Sequence, residues 1–557
     1  MNNKLKSIVA GVLCFATLLG TASGCGKAGN SSETASTGSK TESSSSTFGG
    51  FGSRLKLTNP SNGYLYGEDL EVTWSGGKEG QTFTVKLEKQ NGNEYSTVFE
   101  KSGLSGTSYK YSEKLENAYY RISLQATNSD GSVKEAVNAR DGGLVFRCIA
   151  STNKSLNDGI DYKFDKKISE EVLNNYLNRA MTYSIYDGMG GQFNEDEIDE
   201  AYRAILSVGA KYIPRHISIF YPSANDEKYY HQLSEKIKQA HVADPDIIFE
   251  ACIFECVSDL VDTIKIPDYV FEAFGKKKTS RSFESTKMFF TNGYGKDRHG
   301  AGAGYPDITQ EETQMFFYYR ATQYIDMGIE SLHMGIMTAI GKSDTGNKCW
   351  EKVISMIREY AAKNARRHYI IINGHSGNVF TGSNGSMLVD FIASPSRLQV
   401  ADGQTNHAAS EGNPQKADIY PNRDYSWGKY DAPYQSNIKG TSPSGWTTKH
   451  YPYLVELDNW GTVASNDLTV ATNLWNGYDE ISWYANQPDS YRHEFLYYIT
   501  KKIKDYKENG HFAMPGTRIV YMVNQKKEIR YRMNSKKNCA EGFGDEDAII
   551  AAWRKNK

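Results

Sequence analysis

The chain has 557 residues, too many for one ordinary core, and this length predicts two or three domains. Its formal net charge is −2, from 64 Lys and Arg against 66 Asp and Glu, which excludes a nucleic-acid binder of the generally basic kind. Aromatic residues are abundant, with 38 Tyr, 23 Phe and 8 Trp, a composition that suits extracellular carbohydrate-handling proteins.

Lys4 and Lys6 precede an apolar run from Ile8 to Leu19 that is too short to span a membrane with these flanks. Ala22-Ser23-Gly24-Cys25 follows. These residues resemble a bacterial lipoprotein signal peptide and lipobox. The resemblance implies a signal over 1–24, lipid on Cys25 and anchoring on the extracytoplasmic face of a bacterial cell membrane; a plain secretory signal is the alternative. Residues 25–53, rich in Ser, Thr and Gly, are then a flexible tether. Cys14 would leave with the signal. Cys148, Cys252, Cys256, Cys349 and Cys539 remain, an odd and scattered set that is no disulfide framework. No CxxC pair and no HExxH occurs, so no zinc motif is preformed, and no metal or other cofactor is expected.

Residues 54–149 follow an all-β pattern. Leu70–Trp74 and Phe83–Leu87 alternate apolar and polar residues between Gly-rich turns. Tyr120-Arg121-Ile122-Ser123-Leu124-Gln125-Ala126 does the same and closes on Asn128-Ser129-Asp130-Gly131. This run resembles the F-strand of fibronectin type III and related immunoglobulin-like modules, with Trp74 as the aromatic core residue. The resemblance implies a β-sandwich that serves as a spacer, or as a carbohydrate- or protein-binding module.

From residue 150 to 557 apolar runs of strand length alternate with longer amphipathic segments. The runs are Met181–Tyr186, Lys211–Ile219, Ile247–Ile253, Ile329–Met334, Tyr369–Asn373, Met387–Ala393, Tyr453–Asp458 and Arg518–Asn524. Asp196–Val208 carries Ile198, Ala201, Ile205 and Val208 at helical spacing. Glu311–Met327 follows Thr309, with Glu312 placed as in a capping box, and Lys352–Asn364 carries Val353, Ile357 and Ala361. About eight near-continuous apolar strands parted by helices or long loops predict an α/β (β/α)8 TIM barrel. The Gly-, Pro- and aromatic-rich segment Gly403–Lys449 is expected as a loop over its mouth. The basic run Lys526–Arg532 reads as a solvated strand or hairpin face.

Such a barrel keeps its chemistry at the C-terminal ends of its strands. The polar residues that close or interrupt the runs are Asp187, Arg215, His216, Glu250, Glu255, His333, Asn373, His375, Asp390, Glu456, Asp458 and Asn524. In Tyr453–Gly461 alternation puts Glu456 and Asp458 on one face, just before Trp460. Buried carboxylates are costly unless hydrogen-bonded or functional, so the pair belongs either to a satisfied polar network or to a site. Glycosidic cleavage needs one carboxylic acid for the leaving oxygen and a second carboxylate as nucleophile or base. Glu255, Glu456 and Asp458 are the candidates for these roles. Glu250, His333, Asn373, His375 and Asp390 would bind hydroxyls, and Trp427, Trp446 and Trp460 would offer flat faces to sugar rings.

In these respects the chain resembles glycoside hydrolases built on (β/α)8 barrels. In their large retaining group the acid follows an Asn-Glu ending the fourth strand, and a Glu nucleophile ends the seventh. Glu456 matches the seventh. The fourth departs, with Glu330 at its start and His333 at its end. The expected partner is a polysaccharide or oligosaccharide, with no nucleic acid. Two alternatives stay open: a non-catalytic glycan-binding lipoprotein, and a metal-dependent hydrolase using His333, His375, Asp390 and Asp458.

Overall fold

The computed structural model describes residues 55–60, 64–66, 69–91, 94–116, 118–137, 143–149, 159–186, 193–253, 256–376, 380–401, 409–419, 438–459, 479–506 and 508–555. Eight parallel strands form one continuous ladder. In chain order they are Met181–Tyr183, Tyr212–Ile217, Ile248–Cys252, Ser331–Ile336, Ile371–His375, Phe391–Pro395, Tyr453–Glu456 and the first half of Gly510–Met522. Between the first and second strands the parallel bridges Ala180 to Tyr212 and Tyr186 to Ile217 bring the ring close to closure. The result resembles a TIM barrel.

The strands are buried along nearly their whole length, as parallel strands covered on both faces must be. Their outward side chains share one apolar cluster with the surrounding helices. Among these, Glu195–Val208 begins in a complete capping box between Asn194 and Glu197 and ends on Gly209 at φ 73°. Its predicted stripe Ile198, Ala201, Ile205 and Val208 is buried. Helix Glu170–Leu177 closes the N-terminal end of the barrel. Its Leu173, Tyr176 and Leu177 pack with Ile248, Phe391 and Leu454 from the strand starts.

Three expectations are corrected. The eighth strand starts at Gly510, not Arg518. Its half that pairs in the barrel contains Pro515 and Gly516, residues that read as a turn. The alternating run from Thr517 pairs antiparallel with Lys527–Arg532 as a hairpin arm. Thr309 does not cap helix Glu311–Asp326: its hydroxyl donates to Asp307 Oδ1 at 2.8 Å, and Glu312 is taken by Arg281 at 2.6 and 2.9 Å. Finally, the described end of the Gly403–Lys449 segment lies at the barrel floor. Trp446 Nε1 donates to the Ile168 carbonyl at 3.0 Å and the indole stacks on Tyr451. Residues that lead into a parallel strand must approach its N-terminal end.

In the N-terminal region, strands Lys56–Asn59, Glu71–Ser75 and Ser108–Lys110 form one antiparallel sheet. Tyr64–Tyr66, Thr82–Asn91, Glu94–Leu104, Ala118–Thr127, Val133–Ala136 and Leu144–Ile149 form another. Val72 and Trp74 from the first share an apolar cluster with Leu87, Ile122 and Phe146 from the second.

Candidate active site

The site begins with a break in the second strand. Pro214 has no N–H to give the ladder. Between the pairs Ile213 to Phe249 and Ile217 to Ala251 the strand has three residues where its neighbour has one, Glu250. Arg215 within this bulge has φ 56°, in the left-handed region. Simple alternation from inward Tyr212 would send Arg215 out among Ile213 and Ile217. The bulge reverses this, as bulges near functional sites do. Arg215 points into the barrel, while His216 turns outward to bond Tyr202 at 2.9 Å and pack on Phe249.

Across the barrel, the seventh strand ends on Glu456 and runs on to Asp458. Arg215 Nε donates to Glu456 Oε1, and the Thr182 hydroxyl donates to Oε2 at 2.8 Å. Arg215 also comes within 3.6 Å of Asp458, whose other oxygen accepts from Arg518 Nη2 at 2.6 Å. Arg518 stands just beyond the barrel end of the eighth strand and also bonds Asn459. Burial opposes ionisation of Asp458, but Arg215 and Arg518 outweigh it and hold the carboxyl below the usual carboxylate range.

The fifth strand contributes His375, whose Nε2 lies 3.3 Å from Arg215 Nη2. An arginine can only donate, so this nitrogen accepts, and the imidazole is neutral. Burial, aided by Arg215, pushes its pKa down to about 3. His333 on the fourth strand packs edge-on against it, with ring centres 4.9 Å apart. His333 Nδ1 donates to Asn373 Oδ1 at 2.7 Å, and Asn373 Nδ2 in turn donates to Glu250 Oε2. Tyr212 and Ser331 hydroxyls reach the same oxygen, and the Arg215 peptide N–H reaches Oε1 at 3.1 Å. Burial raises the Glu250 pKa, against the pull of these donors.

Glu250, Arg215, His333, Asn373 and Glu456 line a cavity of about 10 Å³ inside the barrel. That is room for roughly one water. Nothing larger than a water fits between these side chains.

Glu480 was missed by sequence reasoning. It is fully buried at the start of helix Glu480–Ala485, which returns to the barrel after the seventh strand. Its carboxylate accepts from the Ser396 hydroxyl at 2.8 Å and from the peptide N–H groups of Ser396, Leu398 and Asp458. It thereby ties the ends of strands six and seven together. Burial pushes its pKa up to about 8. No local motif announces this residue, 22 positions after Asp458. Arg518 was visible only as the supposed start of a strand.

Not every predicted residue reaches the mouth. Asp390 precedes the sixth strand and belongs to the opposite end, where Tyr369, the Ile372 N–H and Arg358 hold it. It cannot join His333, His375 and Asp458 around one ion, and among the described residues no three His, Cys, Asp or Glu are grouped to hold a metal. Glu330 also lies at that end, with Arg366 at 2.6 Å. Asn524 sits in the turn of the hairpin arm. Asp187, Glu255, Trp427 and Trp460 lie outside the described residues.

No protein-family model matches the chain, and no curated protein matches it. Solved structures similar to it include three glycoside hydrolases. The type III pullulan hydrolase from Thermococcus kodakarensis is 11% identical, with 58% of this chain and 62% of that one covered and a TM-score of 0.22. The acarbose-soaked debranching enzyme from Nostoc punctiforme is 10% identical over 68% and 82%, at 0.34. A GH27 β-L-arabinopyranosidase from Geobacillus stearothermophilus is 10% identical over 64% and 74%, at 0.30. At such identities and scores the likeness carries no argument about chemistry.

Proposed function

We propose that the barrel is a glycoside hydrolase acting on a polysaccharide or oligosaccharide, with its working carboxylates among Glu255, Glu456 and Asp458. The observation that carries this is the convergence of side chains from separate strands at one end of a parallel barrel. Glu456 and Asp458 come from the seventh strand, Arg215 from the second, His375 from the fifth and Arg518 from the eighth. Chemistry on a glycosidic bond needs two carboxyl groups whose environments push their pKa values apart. Asp458, paired with two arginines, suits the ionised partner. Glu255, three residues after the third strand in sequence, is proposed as the acid. His375 would bond a hydroxyl, Asn373, His333 and Glu250 support it from below, and Trp427 and Trp460 are proposed as stacking faces.

Glycan binding without turnover is the second reading. It is favoured by one observation: the fourth strand's carboxylate, Glu330, is engaged by arginines at the far end of the barrel. The N-terminal region is proposed as a fibronectin-like sandwich acting as a spacer. The whole would be held off the extracytoplasmic membrane face by lipid on Cys25 and the tether. Support for the sandwich is the core that Trp74 shares between two sheets, and support for the anchor is the lipobox-like sequence.

The test is release of new reducing ends from plant, fungal and bacterial polysaccharides by the purified protein beside Glu456→Gln, Asp458→Asn and Glu255→Gln. Release by the parent, lost in one of the three, supports the proposal. Release unaffected by all three discards this site. No release, with retention on an insoluble glycan, moves the assignment to the binding protein.

A further inference from the structure

We infer that Glu250 is a positioning residue, acting through the backbone of Arg215 to aim that guanidinium at Glu456 and His375. The inference deepens the site proposed above and rests on that reading for its functional meaning.

Glu250 lacks the freedom of a substrate ligand. It is 2% exposed, and both its oxygens are engaged. Tyr212, Ser331 and Asn373 account for Oε2. What remains is Oε1, and it takes a backbone donor, the N–H of Arg215 at 3.1 Å. That N–H falls within the bulge, where the ladder between the second and third strands is interrupted. A buried peptide N–H without an acceptor is costly, so something must replace the missing ladder partner. Glu250, on the neighbouring strand opposite the bulge, is that replacement.

The consequence lies in the direction of a side chain. A non-glycine residue holds a left-handed φ against its own β-carbon only where the surroundings over-determine it. At Arg215 the surroundings are Pro214 before it, Glu250 on its N–H, and Glu456 and His375 at its far end. Were the backbone to relax into a regular strand, Arg215 would face the apolar helix layer with Ile213 and Ile217. Glu456 and Asp458 would each lose Arg215 and keep only Arg518, at 3.7 Å and 2.6 Å. Glu250 and the mouth carboxylates are thus coupled through one peptide unit and one side chain.

The test is the ¹⁵N signal of His375 Nε2 at neutral pH in the full chain, which reports whether that nitrogen accepts from Arg215. Arg215→Ala sets the position of the uncoupled imidazole. Glu250→Ala is expected to move the signal to that same position, and the double variant no further. Glu250→Gln, which keeps an oxygen for the Arg215 N–H, should stay near the parent. A Glu250→Ala signal at the parental position overturns the inference, as does a double variant that moves further than Arg215→Ala. Should Glu250→Ala alone fail to fold, it is read in an Arg215→Gly background, where φ 56° carries no penalty. Recovery of folded protein supports the inference, and failure to recover it overturns it. The imidazole signal is read whether or not any glycan is cleaved, so failure of the positioning role and failure of the hydrolase assignment are separate results.

Discussion

The peptide N–H of Asp458 donates to Glu480 Oε2 at 3.2 Å, so the end of the seventh strand hangs on the helix that returns after it. The same oxygen takes the Ser396 hydroxyl and N–H, which pins the end of the sixth strand to the same point. Glu480 is the residue where the fold and the candidate chemistry meet.

Glu480 gives a pH-dependent expectation. Burial, with Asp458 adding to it and Ser396 and Arg397 opposing, raises its pKa from an ordinary 4.5 to about 8 in the folded protein. Between these values the folded state holds a proton that the unfolded state has released. Its contribution is therefore full below about pH 4.5 and lost as pH rises through about 8, at roughly 1.4 kcal/mol per pH unit. Glu480→Gln cannot titrate. Its Tm relative to the parent should improve steadily from pH 5 to pH 8.5 in a series of thermal melts, whatever the offset at pH 5. A constant difference across that range would refute the assignment.

Asp458 has the opposite sign. Arg215 and Arg518 overcome the cost of burying it and depress its pKa below 3.8. The stability this contributes is present above the unfolded value and lost as pH falls through the folded one. Asp458→Asn should cost roughly 3 kcal/mol at pH 7, at the low end of what breaking a buried ion pair costs. The gap between variant and parent should narrow below about pH 4. Urea unfolding at pH 7 and pH 3.5 reads both points.

The fold was legible because parallel strands buried on both faces leave continuous apolar runs, and seven of the eight runs lie on a barrel strand or overlap its start. The eighth was misplaced for a physical reason. Pro515 and Gly516 argue against a strand by propensity, yet a Cβ on Gly516 would stand 2.6 Å from the Thr182 carbonyl, so close packing requires glycine there. Arg215 was noticed as a polar interruption, but the face it occupies depends on a bulge that alternation cannot foresee. Glu456 and Asp458 could be read as a pair because they share one strand. Glu480 could not, because its partners come from two segments distant in sequence, Ser396 with Leu398 and Asp458.

Glu330 and Asp390 separate carboxylates that hold the barrel together from those at its mouth. Each is buried and engaged by arginine at the N-terminal end, Glu330 by Arg366 and Arg367 and Asp390 by Arg358. Removing one partner strands the other, so Glu330→Gln and Asp390→Asn should each cost roughly 3–5 kcal/mol. Neither should move the His375 Nε2 signal or, per folded molecule, alter any release of reducing ends. A change in either readout, with the loss of stability absent, would move these carboxylates into the site.

Gly374 tests how tightly the fifth strand is held between Asn373 and His375. A Cβ there would lie 2.8 Å from Met337 Sδ and 3.2 Å from the Gly335 carbonyl. The methionine can swing away, but the carbonyl belongs to the fourth strand and follows His333 by two residues. Gly374→Ala must therefore either push these two strands apart or shift the fifth along its axis. Overpacking of this kind costs roughly 1–3 kcal/mol. It should also disturb both polar links of the strand, from Asn373 to Glu250 and from His375 to Arg215. Thermal unfolding checks the first expectation and the His375 Nε2 signal the second. A variant as stable as the parent, with an unmoved signal, would show that Met337 alone absorbs the added methyl and that the two strands are not rigidly coupled.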